Sequence, residues 1–147
     1  MSIDAASAKV YSTQNGANGV SYKLMEEHLK CSQITPLYGV ARRVIEAIQG
    51  RVGHSPLDIS HIAQELCFSK RTLQRRLRDQ GHSFSELRDR VRCHYAIRSI
   101  LEGKERVDDI YTALDFSDRS SLTLAFKRWT GLSPRAFGRL YRDEGGL

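Results

Sequence analysis

The chain carries one pattern twice: a short amphipathic segment, a tight turn, and a second amphipathic segment with a polar outer face. The first copy is IAQELCFSKRTLQRRL, residues 62–77, and the second is IYTALDFSDRSSLTLAF, residues 110–126. An internal repeat constrains the fold strongly, because each copy must be a similar supersecondary unit. Apolar residues recur three and four positions apart in both copies, the helical period rather than the alternation of a strand. Each copy therefore reads as helix–turn–helix. The whole predicts an all-α protein with two helix-turn-helix subdomains joined by a long connecting helix, about seven helices.

The punctuation between the copies fits that architecture. Pro36 begins a stretch in which Val40, Val44, Ile45 and Ile48 keep helical spacing, with Gly50 as a stop. Asp58 can cap a helix over 59–66 whose apolar face is Ile59, Ile62, Ala63 and Leu66. Ser69 can cap one over 70–80 that buries Leu73 and Leu77, and Gly81 ends it. Ser83 followed by Glu86 predicts a capping box and a helix to Leu101, with Phe84, Leu87, Val91, Tyr95 and Leu101 near one stripe and Gly103 closing it. A helix over 107–114 follows. Asp118 can cap another over 119–130 that buries Leu122, Phe126 and Trp129. Ser133-Pro134 starts a last short one through Tyr141.

The domain reading is then an irregular N-terminal segment, or the stub of a further domain, over 1–35, with 20–29 as a short helix or strand. The double helix-turn-helix domain covers 36–142, divided into 36–82, a connecting helix over 83–103, and 104–142. Residues 143–147 read as a tail.

Composition narrows the partners. The formal net charge is +6, and hydrophobic and charged residues make up 40% and 27%, which is the balance of a folded chain and not of a disordered one. Residues 51–103 hold ten Lys or Arg against six Asp or Glu, so the first copy and the segment after it supply most of the excess. Such a bias favours an acidic partner such as nucleic acid. Cys31, Cys67 and Cys93 are too sparse for a disulfide framework and fit a reducing cytoplasm, so the expected location is cytoplasmic, on the nucleoid. No apolar run reaches the roughly 18 residues of a membrane span. The N-terminus lacks the basic start and apolar core of a signal peptide.

In a DNA-reading helix-turn-helix the second helix lies in the major groove and the first crosses the backbone. The segment KRTLQRRLRDQ suits the second role. Arg pairs bidentately with guanine and Gln with adenine, so Arg71, Gln74 and Arg75 are the candidate base readers, with Lys70 and Arg78 nearer the phosphates. Arg76 neighbours the buried face and is expected to cover scaffold or to pair with an acid. The second copy offers Arg119, Ser120 and Thr123 to bases and Lys127 for positioning, and being less basic it contributes less discrimination. Asp115 and Asp118 near its turn would repel phosphate unless they cap or pair. Taken alone, the basic run of the first copy reads more simply as a solvated face, and the second unit can also be read as mainly scaffold; the capped, repeated context is what favours DNA.

These residues closely resemble the DNA-binding domain of the AraC/XylS family of bacterial transcription regulators, over about residues 36–142. The stretches that carry the resemblance are ALDFSDRSSLTLAFKRWTGLSPRAF and IAQELCFSKRTLQRRLRDQGHSF. It implies a seven-helix fold and double-stranded DNA as partner, read in adjacent major grooves. It also implies an activator that contacts RNA polymerase, and the base-reading positions named above. Three departures stand out. Leu124 replaces an Arg that in many relatives can reach DNA, which exchanges a polar contact for an apolar one if the position faces the groove. Cys67 and Asp115 occupy turn positions usually held by Gly, where a left-handed backbone suits Gly, is tolerated by Asp and costs Cys about 1 kcal/mol. Cys67 is expected to be strained or buried, and structural rather than a redox sensor. Members usually carry a separate sensor domain, for which about 35 residues are too few. The chain then reads as a stand-alone reader or a fragment, and FSELRDRVRCHYAIRSILEG resembles members with a long N-terminal domain. A small-molecule effector is expected only with such a domain.

Two other functional classes compete with this one. For an enzyme, none of His28, His54, His61, His82 or His94 sits in HExxH, no Cys pair has zinc spacing, and there is no phosphate loop or serine elbow. No catalytic residue, cofactor or metal is therefore expected. A helical protein-interaction module, or an architectural DNA-binding protein with little sequence preference, is the remaining alternative. Steep salt dependence and a preferred duplex sequence separate a specific reader from both.

Overall fold

The computed structural model describes residues 37–143, with side chains through Tyr141. The expectations for residues 1–36, Pro36 included, and for the tail beyond 143 lie outside the described residues. Seven α-helices follow one another: α1 Gly39–Arg51, α2 Ile59–Glu65, α3 Lys70–Asp79, α4 Phe84–Glu102, α5 Val107–Ala113, α6 Arg119–Thr130 and α7 Pro134–Gly138, the last running on into a π-helical turn, Arg139–Asp143. Among the described residues there is no strand, and no helix is long and apolar enough to cross a membrane.

Two cores hold these helices. The first joins Val44, Ile45 and Ile48 of α1, Leu57, Ile62 of α2, Leu73 and Leu77 of α3, and Phe84, Leu87 and Val91 of α4. The second joins Ala96, Ile97, Ile100 and Leu101 of α4, Ile110, Leu114, Leu122, Phe126, Phe137 and Tyr141. Thus α4, about 28 Å long at 1.5 Å per residue, gives its first turns to one core and the rest to the other. The single stripe expected for it is an underestimate. Val91, Arg92, Cys93 and His94 are all buried in succession, because both subdomains wrap its middle. Tyr95 is only half-buried, its hydroxyl turned to Glu105.

Local caps follow the serines. Ser69 Oγ accepts from the Thr72 N–H, Ser83 Oγ from the Glu86 N–H and Ser133 Oγ from the Ala136 N–H, each satisfying a free helix-end donor. Asp58 departs from this pattern. It occupies the N-cap of α2 without capping it, because its carboxylate is taken by Nδ1 of His61 one turn on. Burial slightly opposes ionisation of Asp58, but the His61 hydrogen bond and charge outweigh it and hold the carboxyl below its ordinary range.

Gly50 does not stop α1, which continues through Arg51; Gly53, at φ +91°, lies beyond the end. The start of α1 is capped from a distance. Gln80, at the end of α3, accepts from the Ala41 N–H at 2.9 Å and donates to the Tyr38 carbonyl at 3.1 Å. Gly39 makes room for it: its φ is +61°, and a Cβ there would sit 2.8 Å from Gln80 Nε2.

Both helix-turn-helix turns share one backbone. Cys67 and Asp115 adopt φ +62° and +59°. The Phe68 N–H reaches the Ala63 carbonyl and the Phe116 N–H the Tyr111 carbonyl, at 2.9 and 3.0 Å. Cys67 carries the left-handed strain but is exposed, so the buried alternative is corrected. Cys67→Gly should therefore raise stability by about 1 kcal/mol, the strain released at a position with no packing to lose. Asp115→Gly should give no such gain, because the Asp115 side chain is bonded elsewhere in the fold. Paired thermal melts check the contrast, and a destabilised Cys67→Gly variant would contradict it.

Candidate nucleic-acid interface

In α3, Leu73 and Leu77 are fully buried against α1 and α2, which fixes the roll of the helix. Lys70, Arg71, Gln74, Arg75 and Arg78 are consequently all exposed. Arg76 is diverted. Its guanidinium lies 5.1 Å from the Phe68 ring centre, and Arg43 of α1 stands 5.5 Å from the same ring, so both cover scaffold. A groove of about 510 Å³ runs beside α3 and brings Lys70, Gln74 and Arg78 together with Ser85 and Arg88 from the start of α4. Arg88 was not among the sequence candidates. It leans over Phe84 at 5.6 Å, a placement across the Gly81 turn that the local pattern of α3 does not encode.

In α6, Leu122 and Phe126 are buried in the same way. Arg119, Ser120 and Lys127 are exposed. Thr123 is half-buried and its hydroxyl donates to the Arg119 carbonyl at 3.0 Å, so it is set back from the outer face. Arg119 lies 3.8 Å from Asp108 of α5, and Arg128 donates to Asp89 of α4 at 3.1 Å. Acids temper this helix on both flanks, whereas among the described residues no ion pair joins the exposed cations Lys70, Arg71 and Arg75 of α3 to an acid.

The two acids of the second turn are both occupied. Asp118 Oδ1 accepts from the Ser121 N–H at 2.7 Å, and that backbone bond holds its carboxyl below the ordinary range. Asp115 Oδ2 accepts from the Leu57 N–H at 2.9 Å, a link 58 residues long that ties the second turn to the loop before α2. Beside it the Gly53 N–H donates to the Ala113 carbonyl at 3.0 Å. Arg92 completes the junction from α4: Nε donates to the Leu114 carbonyl and Nη2 to the Asp115 carbonyl, each at 2.8 Å, and its guanidinium lies 4.1 Å from the Phe116 ring centre. Burial, aided by the charge of Arg88, lowers the Arg92 pKa to about 10, with Asp89 and Asp115 pulling the other way, so it stays charged at neutral pH. One buried arginine thus binds the second helix-turn-helix unit to the connecting helix.

Residues 62–140 match the helix-turn-helix domain family. The chain belongs to the AraC-type helix-turn-helix family of DNA-binding regulators. It is 37% identical over 75 residues to the HTH-type transcriptional regulator VqsM of Pseudomonas aeruginosa, covering 51% of this chain and 23% of that protein. It is 32% identical over 109 residues to the HTH-type transcriptional regulator VirS of Mycobacterium tuberculosis, covering 74% of this chain and 29% of that one. The chain thus spans less than a third of either relative. The solved C-terminal domain of AraT, a response regulator from Geobacillus stearothermophilus, superposes with a TM-score of 0.61 at 25% identity over 71% of this chain and 88% of that domain. The AraC-type fold accounts for the duplicated units around one helix. Among the described residues no group of His, Cys, Asp and Glu could hold a metal ion.

Proposed function

We propose that this chain reads double-stranded DNA with α3 and α6 in successive major-groove segments, as the DNA-binding part of a transcription activator. The observation that carries the reading is the row Lys70, Arg71, Gln74, Arg75 and Arg78, exposed along a helix whose other face is locked by Leu73 and Leu77. A helix so presented can enter the B-DNA major groove, whereas the major groove of A-form RNA is too narrow for it. Arg71, Gln74 and Arg75 are the base readers, and Lys70 and Arg78 meet phosphates. Arg119 and Ser120 serve bases in the second unit with Thr123 set back beside them, and Lys127 positions it. Contact with RNA polymerase rests on the family resemblance, a location on the nucleoid on the DNA partner, and a non-catalytic role on the lack of catalytic motifs in the sequence.

Selection of randomised duplex DNA, with binding followed against salt, tests the reading. An enriched asymmetric site spanning two adjacent helical turns is expected. Salt-steep binding without enrichment would replace the regulator by an architectural role, and no binding at all would favour a protein partner. On the selected site, Arg75→Ala should cost about 1–3 kcal/mol and relax the preference at one base pair. An equal loss on every sequence would move Arg75 to the phosphates.

A further inference from the structure

The duplicated units align residue by residue once the turn is passed. Leu73 and Leu77 of α3 correspond to Leu122 and Phe126 of α6 at an offset of 49, and the capping residues Ser69 and Asp118 keep that offset. The scaffold helices and the left-handed turn residues Cys67 and Asp115 run at 48, so the second turn is one residue longer. At the offset of 49 the counterpart of Arg75 is Leu124.

Leu124 is 69% exposed, and among the described residues Tyr38 is the other large hydrophobic side chain left so open. An exposed leucine by itself means little. Its place is what matters. It stands one turn beyond Ser120 and one turn before Lys127, both exposed, so the three are neighbours on the outer face of α6. A leucine neither donates nor accepts a hydrogen bond and gains nothing from phosphate. The one apolar group that a base edge presents in the major groove is the thymine 5-methyl. A protein partner would call for a contiguous apolar patch, and here the flanking residues are polar.

We propose that Leu124 is a specificity-determining residue that packs on the 5-methyl group of a thymine in the segment read by α6. The proposal rests on the DNA-reading function above. It makes the second unit more selective than its low charge suggests: the apolar side chain favours a T·A pair where an arginine would favour guanine.

The test replaces each thymine of the selected duplex, on both strands in turn, by deoxyuracil, which removes the methyl and keeps every hydrogen-bonding group. One replacement should weaken binding of the full chain about fourfold, the effect of one methylene-sized group no longer buried. The same replacement should leave Leu124→Ala unaffected, since that variant has already lost the contact. Leu124→Arg should shift the preferred base at that pair towards guanine. Two results overturn the proposal while leaving the DNA-reading function standing: no methyl-sensitive position, or one that persists in Leu124→Ala, which would assign the methyl to another side chain. Unselective binding by the wild type would overturn both.

Discussion

Phe126→Ala should lower the stability of the protein by about 3–5 kcal/mol, the usual cost of deleting a fully buried aromatic ring. Phe126 has no exposed surface. Its ring meets Phe137 edge-on at 5.3 Å, and Phe137 in turn meets Tyr141 at 4.6 Å. These three rings seat α6, α7 and the final π-helical turn on α4, so the cavity would open where several elements converge. Denaturant titration followed by far-UV circular dichroism measures the loss. An unchanged midpoint would mean that the roll of α6, and with it the outward face of the second reader, is misassigned. Leu73→Ala tests the first reader in the same way, with a smaller side chain at stake.

Arg92→Ala comes next in expected effect, at about 3 kcal/mol or more. The substitution removes two charge-assisted hydrogen bonds, each worth about 1.5–3 kcal/mol, and leaves the Leu114 and Asp115 carbonyls to find other donors. It also uncovers the Phe116 face. Because Arg92 joins α4 to the second turn, its loss should broaden the unfolding transition as well as shift it, the second core melting ahead of the first. Arg92→Lys keeps the charge but not the planar fork that reaches two carbonyls at once, so it should recover only part of the loss. Full recovery by Lys would reduce the role of Arg92 to that of a charge.

What could be read from the sequence was whatever depends on residues one helical turn apart. Ser69, Ser83, Ser133 and Asp118 announce helix starts through bonds spanning three residues, and the pairs Leu73–Leu77 and Leu122–Phe126 announce the buried faces by their spacing. The outward set of α3 follows from the second kind of signal. Asp58 defeats the same logic, because a competing partner, His61, stands within the same turn. The bonds from the Ala41 N–H to Gln80 and from the Leu57 N–H to Asp115 span 39 and 58 residues, and no local period encodes them. Arg92 looks like any helical arginine until both subdomains close over it. The correspondence of Arg75 with Leu124 was legible, and required only that the two copies be aligned through the longer second turn.

The junction made by Arg92, Asp115 and Gly53 has a consequence for the geometry of an operator. The units carrying α3 and α6 pack on one continuous helix, α4, and are tied together beside it by these bonds, with no glycine-rich stretch between them. For a protein that reads duplex DNA, this makes the spacing of the two half-sites a fixed length and a fixed phase. One base pair inserted between them would turn the second groove by about 34°, and the protein has little means of following it. The misfit would fall on the duplex, as twist or bend. On that reading the molecule would act as a gauge, responding to the distance between two short words as well as to the words themselves.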